Sequence, residues 1–172
     1  MSSGCCSCGS NGCCASQPER KTLNIDFLYL DLSVCERCQG TESNLDQAVD
    51  EVSKVLEIAG FDLQLNKVNI DSEELAVKYH FLSSPTIRVN GKDIDLEVRE
   101  TACKECGDLC GDSVDCRVWE YEGVQYNEPP VAMIVNAIMK EVYNPSAVAS
   151  SLDSAYTLPE NLKTFFAGRK KL

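Results

Sequence analysis

The stretch DLSVCERCQG, Asp31 to Gly40, sets Cys35 and Cys38 three residues apart. A pair so spaced can act as a dithiol/disulfide couple, as half of a metal clip, or as two packed thiols with no special role. A second group follows in TACKECGDLCGDSVDCRVWEYEGVQY, where Cys103, Cys106, Cys110 and Cys116 form a CxxCxxxCx5C array. Four closely spaced thiolates satisfy tetrahedral zinc, and this expectation comes first. Two disulfides that relay electrons to Cys35 come next, and an iron-sulfur cluster last. The third group, CCSCGSNGCC, carries Cys5, Cys6, Cys8, Cys13 and Cys14 among Ser, Gly and Asn. Soft ions such as Cu(I), Zn(II) or trivalent arsenic prefer such thiolates, so either a metal-scavenging arm or a tail of incidental cysteines fits.

Composition narrows the setting in which these eleven cysteines work. The chain has 172 residues, enough for one domain with tails, and a formal net charge of -11. Phosphate binding needs clustered Lys and Arg, so nucleic acid is excluded as a partner. The small basic end, Arg169 with KKL, reads as a solvated terminus. No window approaches the roughly 18 apolar residues that span a bilayer, and the N-terminus lacks the features of a signal peptide. The expectation is a cytoplasmic protein without membrane contact. A reducing cytosol disfavours permanent disulfides and leaves catalytic, metal-binding or redox-sensing roles for the thiols.

Three parts are expected: a flexible Cys/Ser/Gly-rich arm over 1–21, a domain over 22–145 with a cysteine-rich loop inserted at 99–117, and a C-terminal tail over 146–172. Within the domain, the apolar run LNIDFLYLDL reads as a buried strand. Leu45, Ala48, Val49, Val52, Val55, Leu56 and Ala59 then lay one stripe along a helix that Gly60 ends. DLQLNKVNI reads as a second strand, and Asp71 with Glu74 as the capping box of a short helix. TIRVNGKDIDLEV is a hairpin turning at Asn90-Gly91, and RVWEYEGVQYN a second one turning near Gly123. Pro129 and Pro130 open a helix with Val131, Ile134, Val135, Ile138, Met139 and Val142 on one face. The order β-α-β-α-β-β-α predicts an α/β fold: a small mixed sheet with helices on both faces. In the tail, Leu162, Phe165 and Phe166 form one short amphipathic turn that packs back on the domain or docks a partner.

In this order the CxxC follows the first buried strand and opens the first helix. Free backbone N–H groups and the helix dipole there favour thiolate over thiol, so Cys35 is the expected nucleophile and Cys38 the resolving thiol. The stretch AVKYHFLSSPTIRVNG, with NIDSEELA upstream, resembles the thioredoxin superfamily segment in which a cis-proline precedes the third strand. The resemblance covers about Asn24 to Leu96, and the final helix agrees in order. It implies a three-layer thioredoxin-like fold, a cis Ser84–Pro85 bond, and Pro85 set against the CxxC, where it presents backbone groups to substrate and keeps the pair from capturing metal. The dipeptide Glu36-Arg37 replaces the Gly-Pro of thioredoxin, and no Trp precedes Cys35. Arg37 favours a thiolate and Glu36 opposes it. Trp119 reads as core or interface, and His80 as a surface or packing residue within possible reach of the thiols. With its cysteine-bearing insertion and its C-terminal YTLPENLKTFF, the chain is similar to an uncharacterised prokaryotic family of thioredoxin-like domains of unknown function.

The leading expectation is a thiol-disulfide oxidoreductase with catalytic Cys35, Cys38 and Pro85. Its partners are a protein or small-molecule disulfide and a reductase or thiol pool as electron donor, and the dithiol chemistry needs no cofactor. The alternative is a thiolate protein that binds or hands on a metal or metalloid on a thioredoxin-like scaffold. An adaptor that only binds a protein partner is the third class.

Overall fold

The computed structural model describes residues 19–145 and 156–169. The five-cysteine arm, apart from its last three residues, and the segment 146–155 lie outside the described residues. The first strand, β1 (Lys21–Tyr29), pairs in parallel with β2 (Phe61–Asn69) and antiparallel with β3 (Thr86–Val89). A short β4 (Lys92–Asp93) completes a four-stranded mixed sheet in the order β2-β1-β3-β4. The β3–β4 turn is the expected one, with Asn90 and Gly91 both at positive φ, as a two-residue hairpin requires.

β1 is central and buried on both faces, which is why its sequence is apolar almost throughout. Leu23, Ile25 and Phe27 point to one side, where they meet helix α1 (Glu36–Ile58) and helix α4 (Val131–Tyr143). The stripe Leu45, Ala48, Val52 and Leu56 supplies the α1 side of this core, and Met133, Ile134 and Ile138 the α4 side. Leu28 and Leu30 point to the other side, toward Ala76 of helix α2 (Glu73–Lys78). The result is the expected three-layer, thioredoxin-like α/β arrangement with helices on both faces.

Helix α1 starts at Glu36 with Cys35 as its N-cap, so the CxxC opens this helix as expected. Two details differ from expectation. Helix α2 is capped by Ser72, whose side chain accepts from Leu75 N at 3.4 Å, so the cap is not Asp71. The insertion is also no loop. It forms strand β5 (Arg99–Ala102), helix α3 (Lys104–Cys110) and the start of β6 (Asp115–Tyr121). With β7 (Val124–Tyr126), reached through a turn at Glu122 and Gly123, these strands make a second, antiparallel sheet in the order β5-β6-β7. The amphipathic segment of the tail is helix α5 (Glu160–Arg169), and it buries Leu162, Phe165 and Phe166 back on the domain beside the cysteines. No described helix is long and apolar enough to cross a membrane.

Candidate metal centre

A tight turn delivers the first thiol. After β1, Asp31 Oδ1 accepts from Ser33 N (2.7 Å), Ser33 Oγ (2.6 Å) and Val34 N (3.0 Å), an arrangement that folds the chain just before α1. Cys35 follows in extended conformation as the N-cap, and its sulfur accepts from Cys38 N at 3.4 Å. The insertion repeats this pattern: Cys103 is the N-cap of α3 and Cys106 lies in its first turn. Cys116 sits on β6 directly opposite Thr101 of β5.

Arg37 joins the two halves. Its guanidinium donates to Thr101 O (3.2 Å), Thr101 Oγ1 (2.9 Å), Cys116 O (3.1 Å) and Ala102 O (3.1 Å). Two residues from Cys35, it therefore binds the strand ends that carry Cys103 and Cys116. The sequence suggested an electrostatic role for Arg37, and what the structure shows is a clamp. Arg117 adds a second clamp: fully buried, it binds Asp93 through two bonds of 2.7 and 3.0 Å, donates to Thr86 Oγ1 at 3.0 Å, and lies over the Trp119 ring. Its backbone N donates to Ser84 O at 2.7 Å, so β6 is tied to the proline loop as well. Asn161 of α5 exchanges two hydrogen bonds with the backbone of Asp115, next to Cys116.

The product of these contacts is a group of four sulfurs, those of Cys35, Cys103, Cys106 and Cys116, all within 4.8 Å of one another. Cys116 Sγ lies 3.4 Å from Cys106 Sγ. Cys35, Cys106 and Cys116 are 0% exposed and Cys103 3%. Tetrahedral zinc with Zn–S near 2.3 Å sets its ligands about 3.8 Å apart, so these four residues can hold one ion with little adjustment. A cluster with its thiolates on different irons needs a wider spread of sulfurs, which fits less well.

Thiols this close cannot ionise independently. Hydrogen bonds from Cys103, Cys106 and Cys116, and then from Cys38, drive the Cys35 thiol far below its ordinary range, against the opposing effect of burial. Contacts with Cys106 and Cys116 also lower Cys103. The donors pay the converse: Cys106 and Cys116 are pushed up, chiefly by Cys103, and Cys38 chiefly by Cys35. The contacts thus favour thiolate at Cys35 and Cys103, and a cation is the natural counter-charge for buried thiolates.

Of the four expected metal ligands, Cys103, Cys106 and Cys116 lie in this group and Cys110 does not; Cys35 of the CxxC stands with them instead. Cys110 ends α3, about 6 Å further along the helix axis than Cys106 at 1.5 Å per residue. Its thiol turns to the carbonyls of Gly107 (3.7 Å) and Asp112 (3.8 Å).

Cys38 also stays outside the group. It is fully buried, with its sulfur 3.4 Å from Ser84 Oγ, and the Ser84–Pro85 bond is cis, as the resemblance implies. The CxxC is therefore divided, Cys35 facing the insertion and Cys38 the proline loop. The folded insertion covers both thiols. His80 stacks on Tyr156, with ring centroids 5.1 Å apart, and Trp119 is core.

Residues 23–138 match the model of a family described as a domain of unknown function, DUF2703, and the chain belongs to that family. No curated protein and no solved structure matches it.

Proposed function

For this member of the DUF2703 family we propose binding of one thiophilic metal ion, zinc first, by Cys35, Cys103, Cys106 and Cys116 on a scaffold of the thioredoxin superfamily. The observation that carries this reading is the convergence of four buried sulfurs within 4.8 Å from three separate elements. Closed sites of four protein ligands hold structural ions, whereas catalytic sites keep one position open. A bound divalent ion neutralises thiolates and cross-links α1, α3 and β6. Arg37 holds the strand ends in register for it, and α5 closes the layer from outside. Elemental analysis of the purified chain with the five arm cysteines changed to Ser tests the proposal. About one ion per chain is expected, lost in Cys116→Ser and kept in Cys110→Ser. Equal metal content in both variants defeats the reading.

A second reading, the thiol-disulfide oxidoreductase, is supported by Cys35 at the helix N-cap, Cys38 one turn on, and cis-Pro85 beside Cys38. A protein or small-molecule disulfide is its substrate, and a reductase or thiol pool its electron source. Full burial of Cys35 places it second, since attack on a protein disulfide needs access. Cys35→Ser should abolish dithiol-dependent disulfide reduction and Cys38→Ser should accumulate mixed disulfide; unchanged activity in both variants rules this reading out.

A further inference from the structure

Cys35 belongs to two partnerships at once. It is one of the four converging sulfurs, and it is also the CxxC partner of Cys38, whose backbone N–H it accepts at 3.4 Å. Cys38 is a buried free thiol one helical turn away, held by Ser84 Oγ and left out of the metal group. Cys103 alone among the four keeps any exposure, and its sulfur reaches outward to Glu105 Oε2 at 3.3 Å. It borders an open groove of about 580 Å³ between Lys104, Gly107, Asp112 and Ser113.

We infer that a small-molecule disulfide entering this groove oxidises the Cys35–Cys38 pair and thereby releases the metal, so that the site exchanges its ion for a disulfide. The inference rests on the metal-binding reading. The Cys103 sulfur attacks the disulfide RSSR, forming Cys103–SR and expelling the first RS⁻. Cys35 then displaces the second RS⁻ and forms a Cys103–Cys35 disulfide. Cys38, which no ion occupies, attacks the Cys35 sulfur; the Cys35–Cys38 disulfide forms and Cys103 returns as thiolate. In sum, Cys35 and Cys38 lose two electrons, and RSSR gains them and leaves as two thiols. One of these takes the Cys38 proton and the other is protonated by solvent. Three sulfurs remain of the four, which weakens the hold on the ion and lets a chelator take it. Cys38 resolves the Cys103–Cys35 disulfide because it adjoins Cys35 in the CxxC turn and stands outside the four-sulfur group.

The test uses the full chain with Ser at the five arm positions, loaded with zinc and treated with glutathione disulfide, while a chromogenic chelator reports released zinc and peptide mapping locates the disulfide. About one zinc per chain should be released, together with a Cys35–Cys38 disulfide. Cys38→Ser and Cys38→Ala should hold the same zinc at rest and, with no thiol to resolve it, accumulate a Cys103–Cys35 disulfide in place of the Cys35–Cys38 disulfide. A Cys103–Cys106 disulfide in the parent, or the absence of a Cys103–Cys35 disulfide in these variants, overturns the inference. Should both variants lose zinc at rest, the disulfide map of the parent decides alone. A parent that binds no zinc removes the metal reading itself, a failure visible before any disulfide is added.

Discussion

The two faces of the four-stranded sheet are held by different means. Against α1 and α4 the contacts are almost wholly aliphatic and aromatic, from Leu23, Ile25 and Phe27 to Leu45, Val52 and Ile138. Against α2, α3 and α5 the core includes six cysteines, and the seam of this layer with the β3–β4 hairpin is closed by the pair of buried Arg117 with partly exposed Asp93. The first face draws its stability from area removed from water. The second carries polarisable sulfur and short elements such as α3, whose seven residues would be marginal alone. One layer is thus an apolar scaffold, and the other gathers the thiols.

The most damaging change to the scaffold is Phe27→Ala, which empties the centre of the aliphatic face at a cost of about 3–5 kcal/mol. Denaturant titration should show the midpoint falling equally with and without added zinc, and rescue by zinc would erase the contrast between the faces. Asp93→Asn strikes the seam. It leaves the Arg117 guanidinium buried without its counter-charge, and because Asp93 is 20% exposed the expected cost is about 2–4 kcal/mol. The emission of Trp119, the only tryptophan, stacked 4.3 Å from that guanidinium, should shift with it.

Gly168→Ala acts on the thiol layer alone. A Cβ there collides with the backbone of Cys110, so α5 must lift from α3, at about 1–3 kcal/mol. Amide exchange should quicken in α3 and α5 and stay slow in β1 and α1, and the effect should be smaller in zinc-loaded protein. Uniform quickening would mean that the two layers unfold as one.

The smallest effect belongs to Tyr156, which anchors the start of α5 by donating to Phe81 O at 2.6 Å. Burial raises its phenol from 10.0 to about 12, with Arg88 opposing. Between pH 10 and about 12 the folded chain keeps a proton that the unfolded chain releases, so stability declines as pH rises through that window. In Tyr156→Phe this slope should vanish from denaturant midpoints taken across the window, and a slope left unchanged would assign it to other groups.

Periodicity along the chain was enough to predict the scaffold. The apolar run of β1, the Leu45-to-Leu56 stripe and the Asn90-Gly91 turn are local signals, each satisfied by neighbours a few residues away, and each reappears in the structure. The cis Ser84–Pro85 bond followed from resemblance. The insertion was less legible, because its glycines and acidic residues suit a loop as well as the short β5 and α3. At the site, the sequence pointed to four thiols of the insertion and, separately, to the CxxC pair, and did not join Cys35 to the insertion. Cys110 stands nearer in sequence to Cys106 than Cys35 does, yet helical rise carries its sulfur away. Cys35, far upstream, is brought in by the Arg37 clamp and by the register that sets Cys116 opposite Thr101. Ligand choice is a matter of distance in space, and only the packing of α1 against the β5–β6 hairpin decided it.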